Sequence, residues 1–521
     1  MHISSQFLLL GVATAVDATA VRPRGTSTTP DYFQTSYGPF AGIYFPTPTN
    51  CGDRVPIIGK GDGAESFKHM GNLSPYMSNP SGFGVKEYSL PPGTNITQMH
   101  MVHRHGSRYP TSSASVATLP NRIAELLGNG TRFTGNLEFL NTWKYRLGKE
   151  ELTALGRQQL FDSGVLNWFN YGQLYDPSSP LIARTCTQVR MLQSAENFLI
   201  GFFGPKYAEN ITLEVIIEEP GFKNPLAGDK ACPNNNNDRS VGGDWANAQW
   251  QEKYLKRATG RFRQSMTGNL EWTTEDTYLA QTMCPYETVG LGYSPFCSLF
   301  TKGEWEGFEY TFALNYYGGN GFGSPTGRAV GVGYVQELIA RLQHRYPQLD
   351  EGFATINETL DTNPTTFPLN QNLYFDFSHD TTMFSMLTAL GLTQFEDFLP
   401  TSGPPEDHQL IVSHIVPFAA RFNIEVIKAP RPVRTKRSND PHASAYEHEG
   451  GETTYVHMLI NQRTISLGRS IPECGKRDDG WCELETFIEA QKENIAKAKF
   501  EDSCFGNYSV PAYGDVTTGA I

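Results

Sequence analysis

The chain has 521 residues, of which 42 are Lys or Arg and 54 are Asp or Glu, for a formal net charge of −12. Hydrophobic residues make 39% and aromatics 12%, which excludes a disordered chain. The 50 glycines show no three-residue period, so a collagen-like chain is excluded, and the acidic balance excludes nucleic-acid binding through a basic surface.

Residues 7–16 read FLLLGVATAV, and Ala18-Thr19-Ala20 follows as a small-x-small cleavage site. This pattern predicts a secretory signal peptide over residues 1–20, although no Lys or Arg precedes it. The run is too short to span a bilayer, and no later stretch reaches the ~18 apolar residues that a span requires. Residues 21–64, rich in Thr, Pro, Gly and Tyr, read as an extended arm. QMHMVH (98–103) reads as a strand running into RHGSRYP. Helical spacing follows over 133–171, clearest in ELTALGRQQLFDSGVLNWF. A strand, LIAR (181–184), precedes a helix, VRMLQSAENFLIGFF (189–203). Residues 243–343 are mostly helix-like, with Gly-rich breaks. LYFDF (373–377) reads as a buried strand ending at Ser378-His379-Asp380, and TTMFSMLTALGL as the helix after it. FAARFNIEVI and TYVHMLI read as late strands. Strands at both ends with helices between predict an α/β sheet interrupted by a helical insertion. GGNGFG (318–323) has no apolar strand before it and no Lys-Ser/Thr after it, so it does not read as a nucleotide loop.

The eight cysteines are Cys51, Cys186, Cys232, Cys284, Cys297, Cys474, Cys482 and Cys504. An even number in a secreted chain favours disulfides, and the absence of any CxxC argues against a zinc ribbon. Cys284 with Cys297 and Cys474 with Cys482 are placed to close local loops; Cys232 and Cys504 are further candidates. Sequons occur at Asn72, Asn95, Asn129, Asn210, Asn357 and Asn507 and predict a glycosylated surface.

Three strand ends carry chemistry. Arg104-His105-Gly106-Ser107-Arg108 sets two guanidiniums around one imidazole, and guanidinium forks match phosphate geometry. Gly106 is expected to permit close backbone approach and an unusual dihedral. Ser378-His379-Asp380 and the Arg184–Arg190 segment are the other two. A shared phosphate pocket at the carboxyl ends of sheet strands accounts for all three. His100 and His103, in the strand before the motif, read as structural. His442 and His448 fall in a polar segment, and no trustworthy metal-ligand spacing appears.

The sequence resembles the histidine acid phosphatases, in particular the secreted fungal group that includes phytases. The resemblance is carried by RHGSRYPT (104–111), ELTALG (151–156), VGVGYVQELIARL (330–342), TLDTNPTTFPLNQNLYFDFSHDTTM (359–383), VPFAARFNIEV (416–426) and HMLINQR (457–463). It implies an α/β fold with a large central sheet flanked by helices, as in phosphoglycerate mutase, and an inserted, mainly helical cap. The expected partition is 65–125, 176–215 and 344–521 for the sheet domain, and 126–175 and 216–343 for the cap. The resemblance implies His105 as nucleophile, Asp380 as proton donor, and Arg104, Arg108, Arg190 and His379 as phosphate-binding groups. Arg184 competes with Arg190, which is preferred for its spacing to Ser194-Ala195. A disulfide common in the family is expected to be missing, since PPGTNIT and EVIKAP lack both cysteines.

The resemblance implies a phosphate monoester as the small-molecule partner, with neither nucleic acid nor membrane, and neither cofactor nor metal. The stretch TSSASVATLPNR carries no lysine where some phytases have one, so a broad acid phosphatase, with phytate as one candidate substrate, is expected ahead of a dedicated phytase. The basic run Lys253, Lys256, Arg257, Arg261 and Arg263 reads either as a solvated helix face or as a rim of the cleft. A mutase-type transferase and a non-enzymatic secreted glycoprotein are the remote alternatives.

Overall fold

The computed structural model describes residues 65–521, except 80–81, 180, 237, 269–270, 348–355 and 439–443. The expected signal peptide, the arm, Cys51 and His442 lie outside the described residues.

Eight strands among the described residues form one sheet. They are β1 (Asn95–Arg104), β2 (Ile182–Cys186), β3 (Thr212–Ile216), β4 (Leu373–Ser378), β5 (Arg421–Ala429), β6 (Thr453–Ile460), β7 (Arg463–Thr464) and β8 (Cys482–Glu483). The order is β8-β6-β5-β1-β4-β2-β3, with β7 also on β6. β1, β4, β2 and β3 are parallel, whereas β5 runs antiparallel to β1. The chain leaving β1 goes to β2 on one side, and the chain leaving β4 goes to β5 on the other. The carboxyl ends of β1 and β4 therefore flank the switch point where open α/β sheets take their ligands.

All six residues of β4 are buried, as a central strand covered on both faces should be. Alternate side chains show what covers each face. Phe375 and Phe377 pack against Phe198 of helix Val189–Phe203. Tyr374 and Asp376 instead meet Arg341 of helix Gly327–Leu342. Asp376 is the acid in this apolar strand, and two cations compensate it: Arg184 Nε at 2.7 Å and Arg341 at 2.6 Å. Glu337, one turn before Arg341, grips the other end of Arg184 at 2.8 and 2.6 Å. A buried charge persists only when paired in this way. Much of the VGVGYVQELIARL segment thus serves the core.

The helices used below are α1 (Ala154–Tyr171), α2 (Val189–Phe203), α3 (Gly242–Tyr254), α4 (Lys256–Gln264), α5 (Thr274–Leu291), α6 (Lys302–Gly319), α7 (Gly327–Leu342) and α8 (Asp380–Ala389). Helix α1 starts at Ala154, with Thr153 capping Gly156 N–H. The expected helical stretch therefore begins later than its spacing suggested; residues 135–141 form only a 3₁₀ segment. Residues 318–323 are the end of α6 and a tight turn packed on Tyr317 and Phe384.

The apolar side chains form two large clusters. One surrounds the sheet and takes in Leu160 and Tyr171 of α1 and most buried apolar residues of α2, α7 and α8. The other gathers Phe67, Met70, Leu119, Phe133, Phe262, Trp272, Met283, Phe296 and Phe308. We propose a partition that differs from the expected one in placing residues 154–171 and 327–342 with the sheet core, because α1 lies against α2 and α7 against α8 and β4. We propose that the second cluster is the core of the cap, with α6 bridging the two.

Three disulfides are formed: Cys232–Cys504, Cys284–Cys297 and Cys474–Cys482. Cys186 is a buried free thiol.

Candidate active site

His105 leaves the end of β1, and His379 leaves the end of β4, one residue past the matched pair Arg104 and Ser378. Their rings lie 5.8 Å apart, centre to centre. The turn after β1 runs hard against the start of α1. A Cβ on Gly106 would lie 2.4 Å from the Gly156 carbonyl oxygen, so only glycine fits there. Close approach is the whole reason: Gly106 is not among the residues with positive φ.

The imidazole of His105 is buried, and its Nδ1 is 2.9 Å from the carbonyl oxygen of Gly106. A carbonyl only accepts, so Nδ1 carries the proton and the lone pair sits on Nε2. Burial, then Arg104, Arg108, Arg190 and His379, hold the ring pKa well below 6.5. Both effects favour the neutral ring.

Arg104 is fully buried. It donates to the carbonyls of Asn72 and of Val416, the latter at 2.8 Å, stacks on Phe418 and pairs with Asp380 Oδ2 at 2.6 Å. Arg190 pairs with Glu150 at 2.9 Å. The buried Nε atoms of Arg108 and Arg190 have no hydrogen-bond acceptor among the described residues. Arg184 takes no part, since Asp376 and Glu337 engage it in the core. Arg190 is thus the third guanidinium acting on His105.

Two backbone positions beside the pocket are left-handed without being glycine: Glu150 (φ 65°) and Ala419 (φ 58°). Hydrogen bonds hold both, from Glu150 N–H to Pro110 O and from Ala419 N–H to His105 O, each 2.9 Å. Such strain survives where the surroundings over-determine it.

Asp380 opens α8. Burial pushes its carboxyl up, but Arg104, the Asn72 amide, Arg108 and Tyr316 overcome that and hold it well below the usual carboxylate range. Asn72 Nδ2 donates to Asp380 Oδ2 at 2.7 Å. Glu309 fixes the Asn72 segment by accepting from Gly71 N–H at 2.7 Å and Ser413 N–H at 2.9 Å. We propose that Asn72 belongs to the pocket and not to the glycosylated surface, because its amide nitrogen, the atom a glycan would occupy, faces Asp380. Asn95, Asn129 and Asn507 are exposed; Asn210 and Asn357 are partly so. We expect peptide mass spectrometry of the secreted protein to find residue 72 unglycosylated. Occupancy there in active protein would refute this geometry.

His379 Nε2 lies 2.9 Å from Glu218 Oε2. Burial raises Glu218, yet the hydrogen bond and charge of His379, then Lys230 and Arg190, outweigh it and keep the carboxylate ionised. Among the described residues one group has metal-ligating geometry: Cys186, Glu218 and His379, with ligand atoms within 4.8 Å of one another. Sequence spacing could not show it, because the three come from separate segments. Glu218, Asn72 and Glu150 all escaped the sequence reading. Glu218 had a signal of the right kind, an acid just past the end of β3. Asn72 was hidden by its sequon.

His100 and His103 are buried core residues, as expected. His103 bonds the Arg104 carbonyl at 2.7 Å and Ser163 Oγ at 2.8 Å, and His100 meets Gln98 at 3.0 Å. His448 lies 3.3 Å from Arg434. In the basic run, Lys253 reaches the Thr401 carbonyl, Arg261 pairs with Glu304 and Arg263 with Glu271. These three are engaged away from the pocket.

Comparison with protein families matches residues 95–461 to the histidine phosphatase superfamily (branch 2). The chain belongs to this family. Phytase A of Aspergillus oryzae is 33% identical over 436 residues, covering 80% of this chain and 86% of that one. Phytase A of Neurospora crassa is 28% identical over 511 residues, covering 89% and 96%. Among solved structures, the phytase from D. castellii superposes with a TM-score of 0.66 at 22% identity, covering 93% of this chain and 96% of that one. That likeness confirms the α/β fold of this family member.

Proposed function

We propose that the protein is a secreted acid phosphatase that hydrolyses phosphate monoesters through a phosphohistidine on His105. The observation that carries this is the neutral, buried imidazole with Nδ1 anchored and Nε2 free, set among guanidiniums that still have donors to give.

In the first step Nε2 attacks phosphorus, the bond to the ester oxygen breaks, and the departing alkoxide takes a proton from Asp380. Arg104, Arg108, Arg190 and His379 hold the nonbridging oxygens, where charge gathers. In the second step water attacks phosphorus, Asp380 takes its proton, and phosphate leaves His105. The resting enzyme keeps Asp380 ionised. An incoming phosphate puts negative charge beside that carboxylate and competes for Arg104, and both effects raise its affinity for the proton it must deliver.

Secretion is supported by the leader-like run, the three disulfides and the exposed sequons. Phytate enters as a substrate on the strength of the phytase A relatives and of Lys230, which, though ion-paired to Asp229, lies close enough to act on Glu218. With much of the basic run engaged elsewhere, broad specificity stands first. Phosphate release from a panel of monoesters, phytate included, at acid pH tests both points. No release from any ester would overturn the activity. A kcat/KM for phytate at least tenfold above the simple esters would reverse the order of substrates.

A further inference from the structure

Three neighbouring parallel strands, β4, β2 and β3, end side by side, and each delivers one donor to the same point. Cys186 is the last residue of β2, Glu218 lies two residues past β3, and His379 one past β4. All three side chains are buried, and their donor atoms lie within 4.8 Å of one another. The catalytic steps above use His379 but have no use for the thiol.

We propose that this cluster is an inhibitory site for a thiophilic divalent cation of the zinc class. The donor set decides the class. Thiolate, imidazole and carboxylate together suit Zn²⁺ and Cd²⁺, whereas Mg²⁺ and Ca²⁺ prefer oxygen alone. Three protein ligands leave the fourth tetrahedral position open, as in zinc sites that also take a small ligand. The outer contacts fit. Gln188 donates to the second oxygen of Glu218 and fixes its rotation, and Asn224 Nδ2 lies 3.5 Å from Cys186 Sγ, where it can donate to a thiolate.

Binding has a defined proton balance. The Cys186 thiol gives up its proton to solvent as the S–metal bond forms. Nε2 of His379 gives its lone pair to the cation, so the ring's proton sits on Nδ1. The hydrogen bond from Nε2 to Glu218 is replaced by a shared metal. Nε2 is then fixed on the cation and can no longer turn from Glu218 to donate to a phosphoryl oxygen, so the pocket loses one of its stabilising groups while His105 remains intact. Inhibition rests on His379 belonging to the phosphate pocket. Metal binding does not, and the experiment separates the two.

The full-length protein is titrated with CdCl₂ while the ultraviolet absorption of a cadmium–thiolate bond is recorded. In parallel, p-nitrophenyl phosphate hydrolysis is followed with CdCl₂, ZnCl₂ and MgCl₂; phytate is avoided because it chelates these ions. The expected result is one equivalent of thiolate absorption, loss of activity over the same Cd²⁺ range, loss with Zn²⁺ and none with Mg²⁺. Cys186→Ala should abolish the absorption and weaken inhibition at least tenfold. Should that variant fail to fold, Glu218→Gln, which keeps the shape, should retain the absorption with at least tenfold weaker binding. No absorption in the wild type, or equal inhibition of Cys186→Ala, would overturn the site. Absorption without loss of activity would overturn the inhibition and count against His379 as a phosphate ligand.

Discussion

His105→Ala is expected to lower kcat by ~10⁴-fold or more on every phosphate ester, the scale seen when a covalent nucleophile is removed. No neighbour can replace it. His379 turns its Nε2 to Glu218, and the guanidiniums cannot attack phosphorus. Quenching the wild type during turnover should trap a base-stable, acid-labile phosphoryl group on residue 105. A loss below tenfold, or an adduct on another side chain, would end the assignment. The environment that keeps His105 neutral also has a cost in stability. Its folded pKa lies below the unfolded value, so below about pH 6.5 the unfolded chain binds more protons here, and stability falls as the solution becomes more acid.

Asp380→Asn should discriminate between leaving groups. Alkyl esters depart as strongly basic alkoxides, and for them the loss is expected at ~10²–10⁴-fold, the usual contribution of a general acid. p-Nitrophenolate needs little protonation, so its loss should be far smaller. Equal losses on both substrates would remove Asp380 from the proton-transfer role. They would leave it as a partner of Arg104, to which its carboxylate is bound at 2.6 Å. The pH profile gives a second check. A proton donor works in its protonated form and Asp380 is depressed in the free enzyme, so lowering pH through its ordinary range near 4 supplies more of the working form and kcat/KM should not fall there.

What could be read from the sequence follows from burial. β4 is covered on both faces and so reads as an apolar run interrupted by Asp376, and the residues just after it and after β1 are the ones that reach the pocket. Arg190 and Arg184 were harder to separate, because the deciding partners of Arg184, Asp376 and Glu337, lie 192 and 153 residues away. The cap boundary is hard to read for a related reason. Most of α7 is buried all round, so its pattern does not show which core it joins. Asn72 and Glu218 act through contacts spanning 308 and 161 residues, and no local pattern records such contacts.

The placement of β4 beside β1 also sets a timetable for synthesis. His105 leaves the ribosome early, whereas Asp380 and the neighbouring strand β5 follow only after every helix from α1 to α7. A parallel pairing this distant in the chain forms late in folding. The nascent polypeptide therefore carries His105 through much of translation before its pocket partner Asp380 exists to meet it.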